Sequence, residues 1–244
     1  MTELRFQAAT ELALSEVRDT HNVGSLGEKP IHRTLKYFVD TDVSHHEVKM
    51  LGSVCDVANN DGIFEIQTRA FDRLVPKLEK FLPSSRVTLI YPIIKEKQLT
   101  WLDPETGEVV SARKVSKKGK VSDALPELSK IKGFIGNENL TFRIYLLAAD
   151  EYRYLDGRGA DKKHRATKYT VIPTKLFEEL EFNSADDLKK LIPDKLPKQF
   201  TAKDFYSSIG MKGRRAYFSL SLCIAMGFVK KIGMSGRAYL YEKT

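Results

Sequence analysis

The stretch Val54-Cys55-Asp56-Val57-Ala58-Asn59-Asn60-Asp61-Gly62-Ile63-Phe64-Glu65-Ile66-Gln67-Thr68 decides how this chain is read. Two β-prone runs flank Asn59-Asn60-Asp61-Gly62, residue types that accept the positive φ of a tight hairpin turn. For any even-length loop within residues 59–62, facing residues have numbers of odd sum, so Asp56 faces Glu65 or Gln67. Glu65 and Gln67, two apart on one strand, share a face. Asp56, Glu65 and Gln67 therefore converge on one side of the hairpin in every such register. Cys55, Val57, Phe64 and Ile66 form the opposite, apolar side, which belongs in a core.

Working outward, Ile31, Leu35 and Phe38 stand at helical spacing, predicting a helix that starts near Glu28 with Pro30 in its first turn. His46–Ala58 switches to period two through Val48, Met50, Val54 and Val57. Phe71, Leu74, Leu78 and Phe81 predict an amphipathic helix over Phe71–Leu82, and Val87–Ile94 reads as a buried strand. The order over residues 28–94 is helix, strand, strand, strand, helix, strand. Outside it, Glu3–Val17 reads as a helix with Leu4, Ala8, Leu12 and Ala13 as its apolar positions. Lys95–Lys120, with the basic run Arg113, Lys114, Lys117, Lys118 and Lys120, reads as a loop or β-arm. Phe142–Leu147 reads as a strand, Thr174–Leu180 as a short helix, and Ser184–Ile192 as a capped helix.

The chain has 244 residues, 42% hydrophobic and 30% charged, which suits an ordinary globular protein of one large or two smaller domains. Its longest apolar runs fall well short of the roughly 18–20 residues of a membrane span. The N-terminal residues lack the order of a secretory signal, so a cytoplasmic location is expected. Cys55 and Cys223 stand far apart in apolar runs and read as buried thiols. No P-loop or dinucleotide glycine pattern occurs, and the histidines have no spacing that argues for zinc or a catalytic triad.

The net charge of +8 is unevenly placed: residues 1–150 carry 21 Lys+Arg against 21 Asp+Glu, and residues 151–244 carry 19 against 11. Such asymmetry suggests that the C-terminal part meets a polyanion, with a solubilising basic surface as the alternative. Within that part, Thr201 caps a helix over Ala202–Ile209, Gly210 makes a turn, and a second helix covers about Lys212–Met226 with Ala216, Leu220, Cys223 and Ile224 on its apolar face. Two strands, Phe228–Ile232 and Arg237–Tyr241, flank Gly233-Met234-Ser235-Gly236. Over about Phe200–Glu242 this pattern resembles the winged helix-turn-helix family, carried by Phe200–Phe205, Gly210, Arg214-Arg215-Ala216 and Arg237-Ala238-Tyr239. The resemblance implies a second helix that enters a DNA groove and presents Lys212, Arg214, Arg215, Tyr217 and Ser219, with Lys230, Lys231 and Arg237 on the wing. Phe200–Thr244 holds eight Lys+Arg against two Asp+Glu, as salt-dependent phosphate binding requires. Contact with protein is the other use of such modules.

Two carboxylates converging beside an amide offer the oxygen ligands that a hard divalent cation takes, with positions left for water and a phosphate oxygen. A solvated sheet face would also carry Asp and Glu. With the element order over residues 28–94, Asp56 and Glu65-Ile66-Gln67 resemble the PD-(D/E)XK, or restriction-endonuclease-like, nuclease superfamily. The resemblance implies Mg²⁺ or Mn²⁺ held by Asp56 and Glu65, with Glu28 or His32 as the acidic position on the preceding helix and Glu47 as a further candidate ligand. It also implies that Gln67 fills the position of the family's lysine and positions water. An amide carries no charge, so a lysine supplied from elsewhere is expected, with Lys95 as the candidate. The Pro-Asp dipeptide of the family is replaced by Cys55-Asp56. Arg69 either binds the scissile phosphate or makes a surface salt bridge.

The expected fold is α/β, a restriction-endonuclease-like αβββαβ core in residues 1–183 followed by a winged helix in residues 184–244. The expected function is metal-dependent hydrolysis of DNA phosphodiesters, and fold analogy extends this to phage defence. The alternative is a nuclease fold without catalysis, acting as a DNA-binding regulator or assembly subunit. RNA as substrate and a homodimer remain open, and no membrane partner is expected.

Overall fold

The computed structural model describes residues 2–19, 29–158 and 165–244, with side chains described only to residue 15 in the first helix. The elements run α1 (Thr2–Asp19), α2 (Pro30–Val39), β1 (His46–Met50), β2 (Ser53–Asn59), β3 (Gly62–Ile66), α3 (Val75–Phe81), β4 (Val87–Leu102) and β5 (Val109–Lys114). They continue with α4 (Leu125–Leu128), β6 (Leu140–Tyr154), β7 (Thr167–Phe182), β8 (Gln199–Thr201), α5 (Ala202–Ile209), α6 (Gly213–Ala225), β9 (Val229–Ser235) and β10 (Ala238–Lys243). Among the described residues a seven-stranded sheet has the order β1-β2-β3-β4-β6-β7, with β5 paired to β4. A second, three-stranded sheet has the order β8-β10-β9. The class is mixed α/β.

Two compact units are interleaved along the chain. One comprises Met1–Ile66, Pro92–Gly119 and Ile144–Leu180, and the other Gln67–Tyr91, Lys120–Arg143 and Glu181–Thr244. Residues 184–244, expected from the sequence as a domain of their own, thus share a unit with two earlier segments.

In the first unit, Pro30 opens α2, where its missing N–H costs nothing. Ile31, Leu35 and Phe38 are buried as their spacing predicts. Phe38 meets Phe6 of α1 and Tyr145 of β6 edge-on, both at 5.5 Å between ring centroids. The buried face of α1 is Phe6, Ala9 and Ala13, whereas Leu4 and Leu12 are exposed, so the expected helix forms with a different face inward. β1 and β2 join through Leu51-Gly52, both at positive φ, as the twist of a two-residue hairpin requires. β2 and β3 join through Asn60-Asp61, and the Asp61 N–H donates to the Asn59 side chain at 2.9 Å.

In this unit one expectation is resolved and one is corrected. β4 runs on to Leu102 and pairs antiparallel with β5, so the segment after Ile94 begins as strand and the β-arm is real. Thr174–Leu180, expected as a helix, lies inside β7, where pairing with β6 overrides the helical propensity of Lys-Leu-Phe-Glu-Glu-Leu.

In the second unit, Phe71, Leu74, Leu78 and Phe81 are all buried, with Phe71 and Leu74 in a 3₁₀ turn ahead of α3. Phe71 packs edge-on against Tyr91 at 5.3 Å, and Phe142 lies 5.8 Å from Phe182. The segment expected as a helix at Ser184–Ile192 tightens to a 3₁₀ turn over Asp186–Leu191. Thr201 and Asp204 form a reciprocal capping box on α5, and Gly210 at φ 69° ends it. On α6, Ala216, Leu220 and Cys223 are buried, but Ile224 is exposed. Cys55 and Cys223 are both buried thiols outside any disulfide, and burial pushes the Cys223 thiol up to about 12.

Candidate functional site

The β2–β3 register pairs Val57 with Phe64, Ala58 with Ile63 and Asn59 with Gly62, which sets Asp56 across from Glu65. Directly opposed residues of an antiparallel pair project to the same side, so the two carboxylates share a face. The opposite face, Cys55, Val57, Phe64 and Ile66, is buried. β3 is in fact buried on both sides, and Glu65 itself is only 2% exposed. A carboxylate at that depth is costly unless partnered.

α2 supplies side chains to the carboxylate face. His32 Nε2 lies 3.2 Å from Asp56 Oδ2, and that same oxygen accepts the Ile66 N–H at 2.7 Å. One turn further along α2, the buried Lys36 donates to Glu47 Oε1 at 3.0 Å. Glu47, a candidate ligand from sequence, therefore pairs with Lys36, and its side chain is 66% exposed. Sequence reasoning missed Lys36, although it follows His32 by four residues and so shares its helix face.

The hairpin is tied down from the end of α2. Asp40 Oδ2 accepts from Asn59 Nδ2 at 2.8 Å and meets His45 Nδ1 at 2.8 Å, while Oδ1 accepts the Asp42 N–H at 2.9 Å. Desolvation would raise the Asp40 carboxyl, but the bonds from Asn59, Asp42 and His45 outweigh it and bring the group down to about 2.

The remaining expected residues are distributed as follows. Gln67 lies just past the end of β3, in the second unit, half-buried, with its N–H donating to Ile90 O at 2.9 Å. Arg69 is exposed in the turn before α3. Lys95, on β4, holds its ammonium 5.3 Å from the Phe177 ring centroid. Glu28 lies outside the described residues. Among the described residues no three His, Cys, Asp or Glu side chains form a group that could hold a metal ion. The pair Asp56 and Glu65 nonetheless matches the donor set of Mg²⁺, which binds through one or two carboxylates and fills its other positions with water and phosphate oxygens.

In the second unit, Lys212, Arg214, Arg215 and Tyr217 are exposed at the start of α6, as expected, but Ser219 is buried and donates its hydroxyl to Arg215 O at 2.9 Å, which removes it from the presented face. Arg214 stacks over Phe218 at 5.9 Å, and Arg215 reaches Asp123 at 3.7 Å. On the β9–β10 ribbon, Lys231 sits 3.2 Å from the Tyr239 ring centroid, Lys230 pairs with Glu242 at 3.1 Å, and Arg237 is exposed at the turn. Tyr217, Met234 and Tyr239 are exposed among these cations, a mixture of aromatic and basic groups only partly legible in the sequence. Among the described residues no helix is long and apolar enough to cross a membrane.

Over 225 residues the chain is 28% identical to an uncharacterized protein of Treponema pallidum (strain Nichols), a similarity covering 91% of this chain and 87% of that protein. No solved structure matches it. Residues 29–183, which hold the carboxylate hairpin, α2 and β4 to β7, match the family described as Domain of unknown function (DUF8091), and with more than half of its length so matched the chain belongs to that family.

Proposed function

We propose that this protein is a metal-dependent nuclease of the PD-(D/E)XK kind that also carries a winged-helix module for DNA. The observation that carries the reading is the hairpin register that opposes Asp56 and Glu65 within the order α2-β1-β2-β3-α3-β4, with β4 beside β3. In this reading Asp56 and Glu65 hold Mg²⁺ or Mn²⁺. When bound, the ion supplies a water of lowered pKa and offsets charge developing on phosphorus. His32 and the Ile66 N–H fix one oxygen of Asp56, so the carboxylate is oriented before any ligand arrives. Gln67, two residues beyond Glu65 in the chain, has the family's lysine position and has an amide to orient water.

The winged-helix reading is supported by the order β8-α5-α6-β9-β10 and by β10 lying between β8 and β9. The exposed start of α6 gives Lys212, Arg214, Arg215 and Tyr217 to a groove, and the ribbon gives Lys230, Lys231 and Arg237 to the backbone.

A second reading, a nuclease fold that binds DNA without cutting it, is favoured by the amide at Gln67 and by the Lys95 ammonium resting on Phe177. One experiment separates them. The full chain is incubated with supercoiled, linear and single-stranded DNA in Mg²⁺, Mn²⁺ or EDTA, beside Asp56→Ala and Glu65→Gln. Metal-dependent cleavage by the parent and loss in both variants is expected; binding without cleavage on every substrate selects the second reading.

A further inference from the structure

β4, β6 and the chain leaving β5 border a cavity of about 610 Å³, wholly within the first unit. Small-molecule sites run from roughly 300 to 1,000 Å³. The walls are Glu96–Gln98 of β4, Lys114–Ser116 at the end of β5 with Lys118 beyond, and Ala148–Asp150 of β6. Residues 115–119 are held against β4, where the Val115 N–H donates to Lys97 O at 2.8 Å and the Gly119 N–H to Ile94 O at 3.1 Å. A Cβ on Gly119 would stand 2.5 Å from Ile94 O, so glycine is what lets this wall approach the strand so closely.

The charges lining the cavity are matched only in part. Lys97 meets Glu151 at 2.7 Å, and Lys118 meets Glu96 at 3.3 Å. Lys114 and Asp150 are left over: among the described residues neither side chain has an ion pair or hydrogen bond. Burial pushes the Asp150 carboxyl above its ordinary value, and no bond acts the other way. A bare oxyanion drawn to Lys114 would face the charge of Asp150, and a bare cation drawn to Asp150 would face that of Lys114. A ligand carrying both signs complements both. Among the described residues no lining side chain is aromatic, so a nucleobase would have nothing to stack on.

The two unmatched groups stand on either side of β4. Lys114 is in register with Gln98 on one edge. β6 runs along the other edge, where Glu151, next to Asp150, bonds Lys97, next to Gln98. Two strand spacings separate such backbones by roughly 9.5 Å, and an extended di- or tripeptide spans about 7–11 Å.

We propose that this cavity binds a short peptide of two or three residues by its free ends, the N-terminal ammonium on Asp150 and the C-terminal carboxylate on Lys114. Gln98 and Ser116 offer an amide and a hydroxyl to the peptide backbone, and Val115, Ala148 and Ala149 give its side chains an apolar wall. Neither Asp56 nor Glu65 lines the cavity, so the site stands whichever reading of the hairpin holds.

The test is calorimetric titration of the full chain with dialanine and trialanine, each also as its N-acetyl and its C-terminal amide form, and with GMP as a nucleotide control. Each blocked end should weaken binding about tenfold, as loss of one charge-assisted bond does. Asp150→Asn and Lys114→Gln, checked for folding by circular dichroism, should weaken the unblocked peptides by a similar factor. Asp150→Asn should also no longer distinguish acetylated from free peptide, and Lys114→Gln should no longer distinguish amide from acid. The blocked peptides decide the matter on the parent chain alone if a variant fails to fold. No binding of either peptide at millimolar concentration, or equal binding of free and blocked forms, overturns the proposal. GMP binding that is lost in both variants, without peptide binding, would assign the cavity to a nucleotide and overturn it equally.

Discussion

His32 and Asp56 meet across 3.2 Å, Nε2 to Oδ2, and the Ile66 N–H fixes the same carboxylate oxygen from β3. A metal ligand deprived of its supporting hydrogen bonds loses orientation before it loses chemistry. His32→Ala is therefore expected to weaken Mg²⁺ or Mn²⁺ binding about 10–100-fold, and Asp56→Ala to abolish it. Calorimetric titration of the ion into each variant checks this; equal affinity in His32→Ala and the parent would show that the contact plays no part in metal binding.

Asp40 links acid stability to the hairpin. Its carboxyl is depressed from 3.8 to about 2 in the folded chain, so the stability it contributes is fully present above the unfolded value and is lost as pH falls through the folded one. Asp40→Asn should lose about 1–2 kcal/mol at neutral pH, after allowance for solvent screening. It should also show a smaller further loss than the parent between pH 3.8 and about 2. Urea melts at both ends of that window read both effects.

Leu51 holds a left-handed backbone, φ 48°, in the β1–β2 turn while its side chain is exposed. A branched residue gains nothing there, and asparagine accepts that conformation more readily. Leu51→Asn is expected to raise stability by about 0.5–1 kcal/mol, seen as a higher urea midpoint at constant slope.

On α6 and its ribbon, Arg214 and Lys231 each lie over an aromatic ring and face solvent. Arg214→Gln with Lys231→Gln should weaken DNA binding across all sequences and make the salt slope shallower by about 0.9 for each phosphate that goes unneutralised. Anisotropy titrations on specific and scrambled duplexes measure it, and an unaltered slope would remove this face from the DNA interface.

The parts legible in sequence were those fixed by local chemistry. Asn59–Gly62 set the hairpin and hence the Asp56–Glu65 opposition, and the period of Ile31, Leu35 and Phe38 set the inward face of α2. α1 misled because two stripes satisfy a helical period: Leu4, Ala8 and Leu12 compete with Phe6, Ala9 and Ala13, and Phe6 decides by meeting Phe38 edge-on. Thr174–Leu180 misled because a strand stabilised by its neighbour can be written in helix-forming residues. The contact of Glu151 with Lys97 was invisible, since it joins β6 to β4 with no local spacing to mark it.

The interleaving of the two units also orders events during synthesis. A chain emerging N-terminus first cannot close the first unit until Ile144–Leu180 has appeared, and by then Gln67–Tyr91 and Lys120–Arg143 are waiting for Glu181–Thr244. Late, long-range closure of this kind slows folding and leaves apolar surface open in the meantime. A fragment ending at residue 183 would keep Leu125, Leu128 and Ile131 on α4 and the turn after it while lacking α6, against which they pack. Such a fragment should aggregate instead of behaving as a free-standing domain.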